Sequence, residues 1–170
     1  WEDTRLDLTG DNSPPELISN ISGLTIPPNV IAASTSDSDS NGKIDQILVT
    51  LSETITDGSS TLDNTTFTVA GYTVSGTSTG SANDNQVLIS LTESGSADTG
   101  ATPNIVLIAG KISDGSNALG YNQTFTSTTD GAKPAILSAA TGDNNSDGTV
   151  DRLTLTFSES VVITDPGTDD

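Results

Sequence analysis

The chain contains no cysteine, no histidine and no methionine. Without cysteine it has no disulfide, no thiolate zinc site and no thiol nucleophile; without histidine it lacks the commonest general base and transition-metal ligand. Basic residues are scarce, five against 23 acidic ones, and the net charge of −18 repels nucleic acid and anionic lipid. Such a surface attracts divalent cations instead, and high acidity also suits a salty environment. Aromatic residues are few (one Trp, two Tyr, three Phe), so a buried core must rest on Val, Ile and Leu. No apolar run approaches the roughly 20 residues that span a bilayer, and no membrane span is expected. The chain starts at Trp1 without a signal peptide, as expected of a processed protein or a fragment.

What is present is an acidic loop written twice. DSDSNGKID at 37–45 sets Asp37, Asp39, Asn41 and Asp45 at positions 1, 3, 5 and 9, with Gly42 at position 6. DNNSDGTVD at 143–151 repeats the spacing with Asp143, Asn145, Asp147, Asp151 and Gly148. Oxygen donors in this register, with the position-7 carbonyl of Lys43 or Thr149, suit one hard cation, and the glycine permits the sharp turn. Ca2+ is the expected ion; Mg2+ gives up its waters reluctantly and takes fewer protein ligands. The alternative for each loop is an acidic turn kept open by solvation, since Asp, Asn and Gly favour turns. Position 12 carries Leu48 or Thr154 rather than a closing carboxylate, so any bidentate ligand must come from elsewhere.

Around the loops the chain reads as short strands. Alternating or short apolar segments fall at 30–33, 47–51, 66–70, 72–75, 86–91, 104–109 and 122–126, separated by turns rich in Ser, Gly, Asn and Asp. No segment holds a helical period. Residues 27–132, opened by Pro27–Pro28, are expected to form one complete sandwich domain. Residues 1–26 are expected to be an N-terminal extension or the tail of a preceding domain, with a strand that pairs with another subunit as the minor alternative. At Lys133 the pattern restarts. The offset between Gly42 and Gly148 is 148 − 42 = 106, and under it Pro134 falls on Pro28 and Ile136 on Val30. Leu153, Leu155 and Phe157 fall on Ile47, Val49 and Leu51, and Ser158–Glu159 on Ser52–Glu53. Residues 133–170 therefore read as the first strands of a next repeat.

These features resemble the bacterial immunoglobulin-like repeats of cell-surface, adhesin and S-layer proteins. The resemblance is carried by the Pro at the domain start, the acidic loop, the strand endings LSETI and FSESV, and the late segment IVLIAGKISDGSNALG. It covers 27–132 and restarts at 133. It implies an all-β, immunoglobulin-like β-sandwich in tandem, located outside the cell or on its surface. The implied role is structural: a calcium-stabilised repeat of a surface array, a filament or an adhesin stalk. The implied partners are neighbouring repeats or identical subunits. The alternatives are a glycan- or host-binding adhesin module using loops 76–85 and 94–103, and an accessory domain of a secreted hydrolase.

Strand geometry adds a placement. Asp45 to Glu53 spans about 26 Å at the usual rise, so loop and glutamate lie at opposite ends of one strand. In a seven-stranded sandwich the first loop then lies at the chain's exit, near Lys133–Pro134. Glu159 is expected close by as a candidate extra ligand, the plain reading for Glu53 and Glu159 being a solvated strand end. Asp57, Asp63 and Glu93 read as solvated charge, and Asp114, Asn117 and residues 83–85 as turn residues. Asn20, Asn64, Asn122 and Asn144 head N-x-S/T triplets, as chance allows in a chain rich in Ser and Thr. No G-x-S-x-G or S-x-x-K motif is present, and no enzymatic activity is expected. Lys43, Lys111 and Lys133 are the only lysines available for a Lys–Asn cross-link.

Overall fold

A computed structural model describes residues 26–164, so the expectations for residues 1–25 and 165–170 lie outside the described residues. The fold is all-β, with one short 3-10 turn at Asp57–Ser59. Seven strands come first: β1 (Val30–Ser36), β2 (Gln46–Leu51), β3 (Phe67–Val69), β4 (Thr73–Ser78), β5 (Gln86–Thr92), β6 (Ile105–Leu107) and β7 (Gln123–Phe125). They form a four-stranded sheet in the order β1-β2-β5-β4 and a three-stranded sheet in the order β3-β6-β7, with antiparallel pairing throughout. A separate hairpin follows, β8 (Ile136–Gly142) with β9 (Arg152–Phe157).

Alternation of apolar residues decides which face is inward. On β2, Ile47, Val49 and Leu51 are fully buried, and on β5 Val87, Ile89 and Leu91 lie on the same side. From the second sheet Phe67, Val69, Ile105 and Leu107 join them in one cluster, giving a sandwich-like architecture. Among the described residues Phe67 is the one aromatic side chain in the fully buried set, so this core is aliphatic, each buried Val, Leu or Ile contributing about 1.5–3 kcal/mol. The cluster runs from Val30 to Ala132 and includes no residue of β8 or β9.

Several strands differ in length from their sequence pattern. β1 continues past Ala33 to Ser36 because Thr35 pairs with Ile47 and lies buried, a polar residue supplied with partners. Its hydroxyl accepts the Gly131 N–H at 3.2 Å, and its N–H donates to the Thr129 carbonyl at 3.1 Å. β6 is shorter than 104–109, since Pro103 precedes it and Gly110 turns the chain at φ +73°.

The β8–β9 hairpin repeats the β1–β2 hairpin in register. Val30 pairs with Leu51 and Ile136 with Phe157; a bulge then leaves Ile31 in one hairpin and Leu137 in the other without a partner across the strand. Ala33 pairs with Val49, and Ala139 with Leu155. The surroundings differ sharply. Ile47 and Val49 are 0% exposed, whereas their counterparts Leu153 and Leu155 are 62% and 40% exposed.

Candidate metal loops

Both acidic loops close a β-hairpin, and both take the same backbone path. Ser40 and Gly42 lie at φ +62° and +92°; Ser146 and Gly148 lie at +63° and +90°. The left-handed glycine is required here, because other residues pay steric strain at that φ. In the first loop Asp37 accepts the Asn41 and Gly42 N–H groups at 3.2 and 2.8 Å, and in the second Asp143 accepts those of Asp147 and Gly148 at the same distances. Asp45 accepts the Ser38 N–H at 3.0 Å, and Asp151 that of Asn144 at 2.7 Å. The position-3 side chains follow suit: Asp39 accepts the Asn41 N–H at 3.2 Å and Asn145 the Asp147 N–H at 3.1 Å. Asn41 and Asp147 in turn accept the N–H groups of Lys43 and Thr149 at 3.1 and 2.8 Å.

These bonds favour the charged carboxylate. The Gly148 N–H holds Asp143 below the ordinary carboxylate range, and the Thr149 hydroxyl and N–H do the same for Asp147. The donor set consists entirely of hard oxygens, and an ionised carboxylate offers about four lone-pair sites, more than these N–H groups occupy. The residues therefore fit Ca2+ chemically. Among the described residues no group of three or more His, Cys, Asp or Glu is drawn together as a ready-made cage.

The two loops differ in what surrounds them. The first is braced by the β5–β6 connection. Asp98 accepts the Ile44 N–H at 2.9 Å and the Tyr72 hydroxyl at 2.7 Å, while its own N–H donates to the Gly42 carbonyl at 2.9 Å. Desolvation, followed by the Asp98 carboxylate, pushes the Tyr72 hydroxyl upward, keeping it a donor. Glu93 differs from the solvated charge expected of it: it accepts from the Asn41 amide at 2.9 Å and lies 3.7 Å from the Lys43 ammonium. Sequence spacing gave no hint of Asp98 or Glu93, since Asp98 lies 54 residues from Ile44 and Glu93 lies 52 from Asn41. Among the described residues no counterpart of the Asp98 brace reaches the second loop, whose residues 143–151 are all exposed.

The first loop does lie beside the exit. Ser36, Asp37 and Ser40 line one cleft with Gly131, Ala132, Lys133, Pro134 and Ile136. Glu159 is placed over Gly100, where a β-carbon would meet its Oε2 at 3.0 Å. Burial, then the neighbouring Asp130 carboxylate, pushes its pKa above the usual carboxylate range, and Thr99 offers it a hydrogen bond. Its neighbours are thus Asp130, Thr99 and Gly100. Asp114 accepts the Ser116 and Asn117 N–H groups at 2.6 Å each, as a turn residue should. Asp57 and Asp63 are also more than solvated charge: Asp57 accepts the Thr79 hydroxyl at 2.9 Å, and Asp63 pairs with Thr65 and, at 3.8 Å, Lys111.

No protein-family model, curated protein or solved structure matches the chain. No helix among the described residues is long and apolar enough to cross a membrane.

Proposed function

We propose that this chain is a structural segment of an extracellular, calcium-stabilised array of immunoglobulin-like repeats, as in a surface layer, a filament or an adhesin stalk. The observation that carries the reading is the duplication of the acidic loop down to its backbone: the same left-handed positions and the same carboxylate-to-amide bonds, 106 residues apart. Strand order supports the immunoglobulin-like part. β1-β2-β5-β4 and β3-β6-β7 correspond to the ABED and CFG sheets of the seven-strand, constant-type sandwich. The matched registers of the two hairpins support tandem repetition.

The mechanism is mechanical. Each loop would hold the ion through its position-1, 3, 5 and 9 side chains and the carbonyl of Lys43 or Thr149. A bound ion would supply positive charge that offsets repulsion among the carboxylates of one turn. The chain supplies the fixed turn, the Gly42 and Gly148 conformations and, at the first loop, the Asp98 brace. An aliphatic core with one fully buried aromatic residue gains proportionately from such a fastening. Free calcium is plentiful outside cells, which favours that location. Calorimetry with calcium and with chelator tests the reading. The melting temperature should rise with calcium and saturate; identical melting in both conditions would remove the structural role of the loops.

A further inference from the structure

Leu137 of β8, with Ser158 and Glu159 just after β9, lies against the far end of the sandwich. Leu137, freed by its bulge, lies over Gly42, where a β-carbon would fall 2.7 Å from its Cδ2. Ser158 hydrogen-bonds Thr99, hydroxyl to hydroxyl, at 2.6 Å. Glu159 covers Gly100. Gly42, Thr99 and Gly100 thus form a socket in which two of the three residues lack a side chain.

The same three projections exist once more. Under the offset of 106, Leu137, Ser158 and Glu159 correspond to Ile31, Ser52 and Glu53. Ile31 occupies the same bulge position as Leu137 and is 55% exposed, and Ser52 is exposed. The local setting is held alike. Asn29 donates to the Ser52 hydroxyl at 3.2 Å and accepts the Ser52 N–H at 2.9 Å; Ala135 does the same with Ser158 at 2.8 and 2.9 Å. The described residues therefore contain two sets of projections and one socket, and the second set fills that socket.

We propose that the Ile31–Ser52–Glu53 surface is a docking site whose occupant is the Gly42–Thr99–Gly100 end of a second unit built like residues 26–132. The argument is the contact the chain already makes: an equivalent set of side chains, in the same register, is seated on that end. Such a contact joins unlike ends of two units, so it propagates as an open chain rather than closing into a symmetric pair. This deepens the repeat reading above and rests on it.

A variant of the 170-residue chain carrying Leu137→Asp and Ser158→Asp uncovers its own socket while leaving the Ile31 set intact. Neither substituted residue belongs to the buried core, so folding is monitored by an unchanged melt of the sandwich. In sedimentation, this variant is expected to gain mass with concentration, to at least twice that of one chain, while the wild type stays single. Adding Ile31→Asp should return it to single chains. Since the protein has no cysteine, Ile31→Cys with Ala97→Cys in the uncovered variant provides a trap, because Ala97 Cβ lies 3.7 Å from a β-carbon at Gly42. Oxidation should give a ladder of disulfide-linked chains. A folded, uncovered variant with neither mass gain nor ladder overturns the proposal, as does association that survives Ile31→Asp or appears equally in the wild type. The readout needs no metal: docking that fails beside intact calcium-dependent melting refutes docking alone, and docking without any calcium response refutes only the calcium reading.

Discussion

Tyr72 and Asp98 are joined by a hydrogen bond of 2.7 Å, and the other Asp98 oxygen holds the N–H of Ile44, a residue with no solvent exposure. Through this carboxylate, the start of β4 and the β5–β6 connection both brace the first acidic loop. Tyr72→Phe should cost about 1 kcal/mol by removing one such bond. Asp98→Ala should cost about 2–3 kcal/mol, because it also strands a buried N–H. Chemical denaturation with a constant denaturant slope checks both, and equal small losses for the two variants would refute the brace.

The two loop glycines should respond differently to the same substitution. Gly42→Ala and Gly148→Ala each place a side chain at φ near +90°, at a cost of about 1–2 kcal/mol to the local turn. Only at Gly42 does the new methyl also collide with Leu137, since nothing lies within 4 Å of a β-carbon at Gly148. Hydrogen exchange should therefore speed up across 136–157 in Gly42→Ala and stay confined to 143–151 in Gly148→Ala. Identical exchange patterns would contradict the packing of the hairpin on the loop.

Removing the first ligand of each loop should also give unequal results. Asp37→Ala strips a loop attached to the main core and should abolish the calcium-dependent rise in melting temperature. Asp143→Ala should leave that rise in place, because β8 and β9 contribute no residue to the core. Calorimetry of both variants in calcium decides the matter; loss of the rise in Asp143→Ala alone would reverse the assignment.

Acid should loosen the fold below the ordinary carboxylate range. The Asn117 N–H, then that of Ser116, lowers Asp114, and the Thr65 hydroxyl lowers Asp63. A carboxylate depressed in the folded state contributes stability that is complete above its unfolded value, about 3.9, and is lost as pH falls through the folded one. Melting temperature measured in chelator should thus decline below about pH 4. Asp114→Asn keeps an oxygen for both N–H groups and should flatten part of that decline with little change at neutral pH. An unchanged slope would show that this turn does not contribute.

How much could be read beforehand depended on distance along the chain. Strand identity followed from alternation, as on β2, and turn chemistry fixed the loops, where Asp37 bonds to Gly42 only five residues away. The role of Glu93 could not be read that way. A charged residue at a strand end looks the same whether it faces water or, as here, the Asn41 amide 52 residues earlier.

The residues alone determined the strands of the described residues and two acidic turns of the same spacing, 106 residues apart, because periodicity and short-range hydrogen bonding are local properties. Tertiary structure alone decided that Asp98 braces one turn and not the other. It also decided that Leu155 is left 40% exposed where Val49 is buried, and that Leu137 lies over Gly42. Burial and long-range contact depend on which surfaces meet, and no local pattern in this sequence carries that information.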